Sequence, residues 1–376
     1  MKILHLVPNY HPFVGGIERV VLELSSFQKN NGDEPVVIFP DRLNKFPDEY
    51  IVENVRVIPF HFPKLVLPIF MVGMPINQNY SAKSIARIFA SCRSVLADLN
   101  TDIIHIHGAS EIALPIVNIA RSIGIKTIFH AHQEYLTSNT KPVELKILLM
   151  SEHVISVSDA VNETIQNKVS TNTRLSVVHN GIDVESATIF LRKNDSKTII
   201  MAGRFFAEKG FDLGIRAFEM VFMKHPELSL KILGNGPERR FLEGLVNELN
   251  LENAVELPGV ASRTELMREI SEAMCVVIPT PKSEAFGLLA IESMSAGTPV
   301  IATKVGGLPE IIQDNVTGLL VEPEYQEIAN TIEKIYLDKN LNIDIGLKGQ
   351  ERVRTHFHMA RFANQIRSEY LVALAK

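Results

Sequence analysis

Cysteine is scarce: the 376 residues include two, Cys92 and Cys275, far apart in the chain. That excludes a disulfide framework and a cysteine-based zinc site, and a reducing compartment is the simple reading. Long apolar runs are missing too. The longest, residues 65–74, is broken by Pro68 and Gly73 and falls far short of a membrane span, which needs ~20 residues. The opening MKILHLVPNYHPF has one lysine and a short apolar run ended by Pro8. It is too polar for a secretory leader and reads as a first buried strand of a cytoplasmic protein. Basic charge is not in excess either. A net charge of −5 argues against a general nucleic-acid binder.

What is present is an α/β rhythm. Continuous Val/Ile/Leu runs occur at 3–7, 35–39, 55–60, 103–107, 126–130, 153–157 and 175–178, and resume at 197–202, 228–233, 254–257, 274–278 and 299–302. Runs without polar alternation are strands buried on both faces, the signature of parallel sheets covered by helices. A polar stretch without a period, 183–196, divides them and reads as a linker. We therefore expect two Rossmann-like, doubly wound domains of about five to seven strands each, facing a cleft. Residues 1–182 form the first and 197–358 the second. Residues 359–376 carry apolar positions at helical spacing and form a last helix able to pack back on the first domain.

Ligands of open α/β sheets bind at the carboxyl ends of strands, so chemistry is sought there. The strand at 198–202 runs into Gly203-Arg204, followed by Glu208-Lys209-Gly210. A forked guanidinium and a point-charge ammonium leaving one strand end suit a diphosphate, though solvated loops carry such charges without function. After the strand at 274–278 comes Glu284-Ala-Phe286-Gly287-Leu288, with Gly287 at a helix start and Glu292 one turn on. Unpaired N–H groups there attract an anion, and Glu292 leans back toward it, a position suited to ribose hydroxyls. Helix capping by Glu284 and a surface place for Glu292 are the bland alternatives.

Together these segments resemble the retaining glycosyltransferases of the GT-B fold, group 1 or family four, whose E-x7-E motif matches Glu284 and Glu292. The resemblance extends in family order through His179-Asn180-Gly181-Ile182-Asp183, the Gly203–Gly210 loop, Leu233-Gly234-Asn235-Gly236-Pro237, Gly306-Gly307-Leu308-Pro309-Glu310 and Thr317-Gly318-Leu319-Leu320-Val321. It implies that Arg204 and Lys209, with the amides of Gly287 and Leu288, neutralise the donor diphosphate. Glu292 then holds the ribose, Glu284 holds sugar hydroxyls, Phe286 belongs to the donor-binding set, and the base lies near Gly234, Gly236, Pro258 and Val260. For Gly234 and Gly236, plain turn geometry is an equal reading. There is no Asp-x-Asp, the metal-binding pair of the other main glycosyltransferase fold. No metal or other cofactor is expected, and the leaving group's charge falls to Arg204, Lys209 and the helix start.

In the first half, Gly15-Gly16 opens a helix without forming the dinucleotide G-x-G-x-x-G fingerprint. The resemblance brings this loop to the donor; a tight turn is the alternative. Two strands end in His105-Ile-His107 and His130-Ala-His132. His107 and His130 occupy strand ends, whereas His105 reads as a hydrogen-bonded core residue. The resemblance makes His130 the residue nearest the reacting carbon, with His132 open as its rival and His107 and His132 on the acceptor side. Zinc at these pairs is a remote alternative, since no carboxylate or cysteine completes a set.

The expected function is metal-independent, retaining transfer of a sugar from a nucleotide diphosphate sugar, by preference a uridine one. The acceptor is a sugar or lipid-linked sugar in bacterial polysaccharide or glycolipid assembly. A nucleotide-sugar-binding protein without transfer and a GT-B-like epimerase are the alternatives; products formed without acceptor would mark the latter. Acceptor contacts are expected at 60–80 and 135–144, and Lys83, Arg87 and Arg93 on a helix at 81–99 offer a peripheral membrane contact.

Overall fold

The computed structural model describes residues 1–12, 15–61, 82–110, 112–134, 142–166, 173–187, 192–193 and 195–375. The expected acceptor segments at 62–80 and 135–141, and the side chain of Lys83, lie outside the described residues. The chain forms two compact units: Met1–Gly181 with Met359–Lys376, and Ile182–His358.

The first unit is built on eight strands: β1 (Lys2–Leu6), β2 (Glu34–Asp41), β3 (Tyr50–Val52), β4 (Val55–His61), β5 (Ile103–Ile106), β6 (Lys126–Ala131), β7 (His153–Ser156) and β8 (Arg174–Val177). Their order is β3-β4-β2-β1-β5-β6-β7-β8. All neighbours are parallel except β3 and β4, so the sheet is mixed where a parallel one was expected. The exception is a hairpin: Glu53 and Asn54 both take positive φ, 48° and 63°. That left-handed pair is the two-residue turn that suits strand twist.

The second unit has β9 (Thr198–Arg204), β10 (Ser229–Asn235), β11 (Val255–Gly259), β12 (Cys275–Ile278), β13 (Val300–Thr303) and β14 (Leu319–Val321). They run parallel in the order β11-β10-β9-β12-β13-β14. The core lies between sheet and helices. The helix Phe211–Phe222 buries Phe211, Ile215, Phe218 and Val221, spaced three or four apart as one helical stripe requires. Each such side chain contributes about 1.5–3 kcal/mol of burial.

The C-terminal helix Met359–Leu374 belongs to the first unit and packs on β6 and on the helix Gly16–Asn30. It buries Phe362, Ile366 and Tyr370, and Arg367 pairs with the buried Asp33, which also holds the N-terminal ammonium at 2.9 Å. No helix among the described residues is long and apolar enough to cross a membrane.

Candidate active site

In the second unit the strand order reverses between β9 and β12. A crevice opens outside the carboxyl ends at such a switch point. The residues following these two strands are the ones the sequence singles out. β9 ends in Arg204, and the 3-10 turn Ala207–Lys209 follows. β12 leads to Glu284 and to Gly287, the N-cap of the helix Leu288–Ser295.

The two sides meet directly: Lys209 Nζ donates to Glu284 Oε2 at 2.6 Å, both side chains partly exposed. Glu284 thus engages Lys209, and the helix cap carries no side-chain hydrogen bond. Arg204 stays exposed with its guanidinium 5.2 Å from the Phe206 ring centre, and makes no ion pair among the described residues. A cation stacked on an aromatic face is steadied without being neutralised. Glu292 is only 4% exposed, which rules out the surface-residue reading.

Glycines bring these parts together. Gly287 has φ 104°, and a Cβ there would lie 2.7 Å from Leu308 Cδ2. Gly306 has φ 53°, and a Cβ would overlap the backbone of Glu284, whose carbonyl accepts from Gly307 N–H at 2.8 Å. The Gly306-Gly307-Leu308 segment therefore buttresses the Glu284 loop. At Gly234 a Cβ would strike the Gly203 carbonyl, and at Gly236 the backbone of Phe205. Both glycines let β10 close on the end of β9, where Phe205 N–H donates to the Asn235 carbonyl at 2.9 Å. Pro258 lies on the edge strand β11 and Val260, 74% exposed, just beyond it. Phe286 is buried edge-on to Phe357, so its ring serves the core.

In the first unit the strand order reverses between β1 and β5, and His5 lies in register with His105 across that pair. Sequence reading passed over His5. It is the one histidine in a strand otherwise apolar after Lys2, and that polar interruption is its signal. His5, His105, His107 and His130 are wholly buried, while His132 just past β6 is partly exposed. Of the two rivals, then, His132 is the one that reaches the surface of its unit. Burial pushes His5 down to about 4, against the hydrogen bond with Gln28, and pushes His132 down to about 3. Burial first, and neighbouring imidazoles second, hold His105, His107 and His130 well below the usual range. The cluster is uncharged at neutral pH. Nitrogens of His5, His105 and His107 come within 4.8 Å of one another, as do those of His107, His130 and His132. Gly15 caps the helix Gly16–Asn30, and the Glu18 side chain folds back over it.

Two family models cover the chain in tandem. One described as Glycosyltransferase Family 4 matches residues 14–186, and one described as Glycosyl transferases group 1 matches residues 185–352. The gpi3 subunit of phosphatidylinositol N-acetylglucosaminyltransferase from Schizosaccharomyces pombe is 28% identical over 351 residues, 89% of this chain and 73% of that one. Sucrose-phosphate synthase from Thermosynechococcus elongatus matches in structure with a TM-score of 0.83 at 22% identity, covering 100% of both chains. Anabaena Alr3699/HepE in complex with UDP-glucose gives 0.78 at 18%, covering 98% of this chain and 99% of that one. At these identities the structural likeness speaks for the fold.

Proposed function

Because this chain belongs to the group 1 glycosyltransferases and has the GT-B fold, we propose that it transfers a hexosyl group from a uridine diphosphate sugar to an acceptor hydroxyl with retention. The observation that carries this reading is the convergence at the β9/β12 switch point of Arg204, Lys209, Glu284 and the helix start at Gly287. Two cations and unpaired amides match a diphosphate, and the adjoining carboxylates match hydroxyls.

Bound donor exchanges the Lys209–Glu284 ion pair for two others. Lys209 turns to phosphate, and Glu284 accepts from sugar hydroxyls. Glu292 holds the ribose. His132, the clustered histidine that reaches the surface of the first unit, orients the sugar with Gly15 and Gly16, while the wholly buried His107 and His130 lie behind it and meet neither sugar nor acceptor. In the transfer step the acceptor oxygen bonds to the anomeric carbon as the bond from that carbon to the phosphate oxygen breaks. The departing diphosphate takes the acceptor's proton on the same face, and Arg204, Lys209 and the helix amides hold its charge. Donor binding thus needs no divalent metal. The HepE complex with UDP-glucose favours uridine as the base, and the lipid-acting gpi3 relative favours a lipid-linked acceptor.

The test is product analysis with labelled UDP-hexoses and a lipid-linked acceptor, in excess EDTA. Acceptor-dependent α-linked product from an α-linked donor is expected. Activity restored only by added metal would remove the metal-free reading. Sugar isomerisation without acceptor would favour an epimerase instead.

A further inference from the structure

His132 alone of the five clustered histidines is partly exposed, and the other four contribute no surface of their own. The hydrogen bonds of His5, His105, His107 and His132 form one continuous line that ends at His132, while neither nitrogen of His130 has a partner among the described residues. It begins on the C-terminal helix, where Tyr370 Oη lies 2.6 Å from His105 Nδ1. Gln28 Nε2 donates to the same hydroxyl at 3.4 Å, and Gln28 Oε1 lies 2.8 Å from His5 Nε2.

With the Gln28 oxygen turned to His5 and its nitrogen to Tyr370, every later proton follows. An oxygen can only accept, so His5 carries its proton on Nε2. A neutral ring has one proton, so His5 Nδ1 is bare and accepts from His107 Nε2 at 3.0 Å. His107 Nδ1 is then bare and accepts from His132 Nε2 at 3.0 Å. His132 is left with a bare Nδ1, which has no partner among the described residues. At the other end Tyr370 donates to His105. All the links point one way, and no ring in the line can change tautomer alone without placing two hydrogens or two lone pairs face to face.

We propose that Gln28, acting through His5 and His107, sets the ring proton of His132 on Nε2 and so presents Nδ1 as a hydrogen-bond acceptor for a sugar or acceptor hydroxyl. Gln28, His5 and His107 are positioning residues; His132 is the one that meets substrate. The identity of the hydroxyl rests on the function proposed above, whereas the tautomer line does not depend on it. A metal is the competing occupant. Ligand nitrogens around tetrahedral zinc stand about 3.3 Å apart, and here the nearest pairs are already joined ring to ring at 3.0 Å.

The experiment is nitrogen NMR of the full chain labelled in histidine, near neutral pH. It reads which ring nitrogen bears hydrogen and shows couplings across N–H···N bonds. Wild type is expected to show His5, His107 and His132 all protonated on Nε2, coupled in sequence. In Gln28→Leu the line loses its fixed acceptor. The share of His132 with a bare Nδ1 should then fall about two-fold, as both directions become open. Gln28→Glu keeps an oxygen acceptor and should restore the single form. A wild-type His132 protonated on Nδ1, or mixed tautomers along the line, would overturn the proposal. So would a folded Gln28→Leu protein with His132 unchanged, or stoichiometric zinc that displaces these ring protons. The wild-type spectrum decides the matter if a variant does not fold. Because no transfer is measured, failure here leaves the assigned activity standing.

Discussion

At the carboxyl edge of β9 and β12 the second unit carries fixed charges, Arg204, Lys209 and Glu284, partly or fully in water. At the edge of β1, β5 and β6 the first unit carries imidazoles that burial has made neutral. Both edges occupy the switch point of a largely parallel sheet, so topology is not what separates them. Depth is. Charges on glycine-lined loops keep their hydration until an anion replaces it, whereas side chains within the strands must be satisfied by one another. A charged edge suits a diphosphate, and a neutral directional one suits hydroxyls.

The largest expected effect breaks the charged side alone. Arg204→Ala should lower kcat by about 100–1000-fold, as losing one pre-set donor to a leaving anion does. The exposed side chain makes no ion pair among the described residues, so the melting temperature should hold. A rate within a few-fold of wild type would remove Arg204 from the charged edge.

The neutral side should fail first in acid. The buried histidines have folded-state values below the unfolded 6.5, so their contribution is complete above about pH 6.5 and is lost as pH falls toward the folded values. Between pH 6.5 and about 4, His5 alone should cost about 1.4 kcal/mol for each unit of acidification. Hydrogen exchange at pH 5 should show the first unit's strands losing protection ahead of β9–β13. Simultaneous loss in both units would dissolve the contrast.

A smaller effect tests the glycine buttress. Gly306→Ala places a Cβ into the Glu284 backbone at a positive φ and should cost about 2 kcal/mol of stability. Donor binding should weaken with it, because Glu284 moves. Smallest is Ser262→Ala, which opens the capping box with Glu265 on the helix Arg263–Ser271 that follows β11. About 1 kcal/mol of stability should go, read as a lower melting temperature.

The charged edge was legible in the sequence because its parts are local. Arg204 to Lys209 is one strand end with its turn and Glu284 to Glu292 one loop with its helix start, and each follows an apolar run that announces a strand. What stayed hidden is long-range. The Lys209–Glu284 pair spans 75 residues, and the support of Glu284 by Gly306 needs two loops in contact. The histidine line draws on residues from His5 to Tyr370, so strand-end reading reached His107, His130 and His132 and missed Gln28 and His5. The strand β3 was missed because three residues make too short a run to show a period.

Calorimetric titration of UDP into wild type, Arg204→Ala and Glu292→Ala, all in excess EDTA, tests the donor site most directly. Wild type should bind one equivalent, and each variant should bind about 10–100-fold more weakly, as a lost charged hydrogen bond requires. Equal affinity in all three, or no binding until a divalent metal is added, would contradict a diphosphate held by the β9/β12 edge itself.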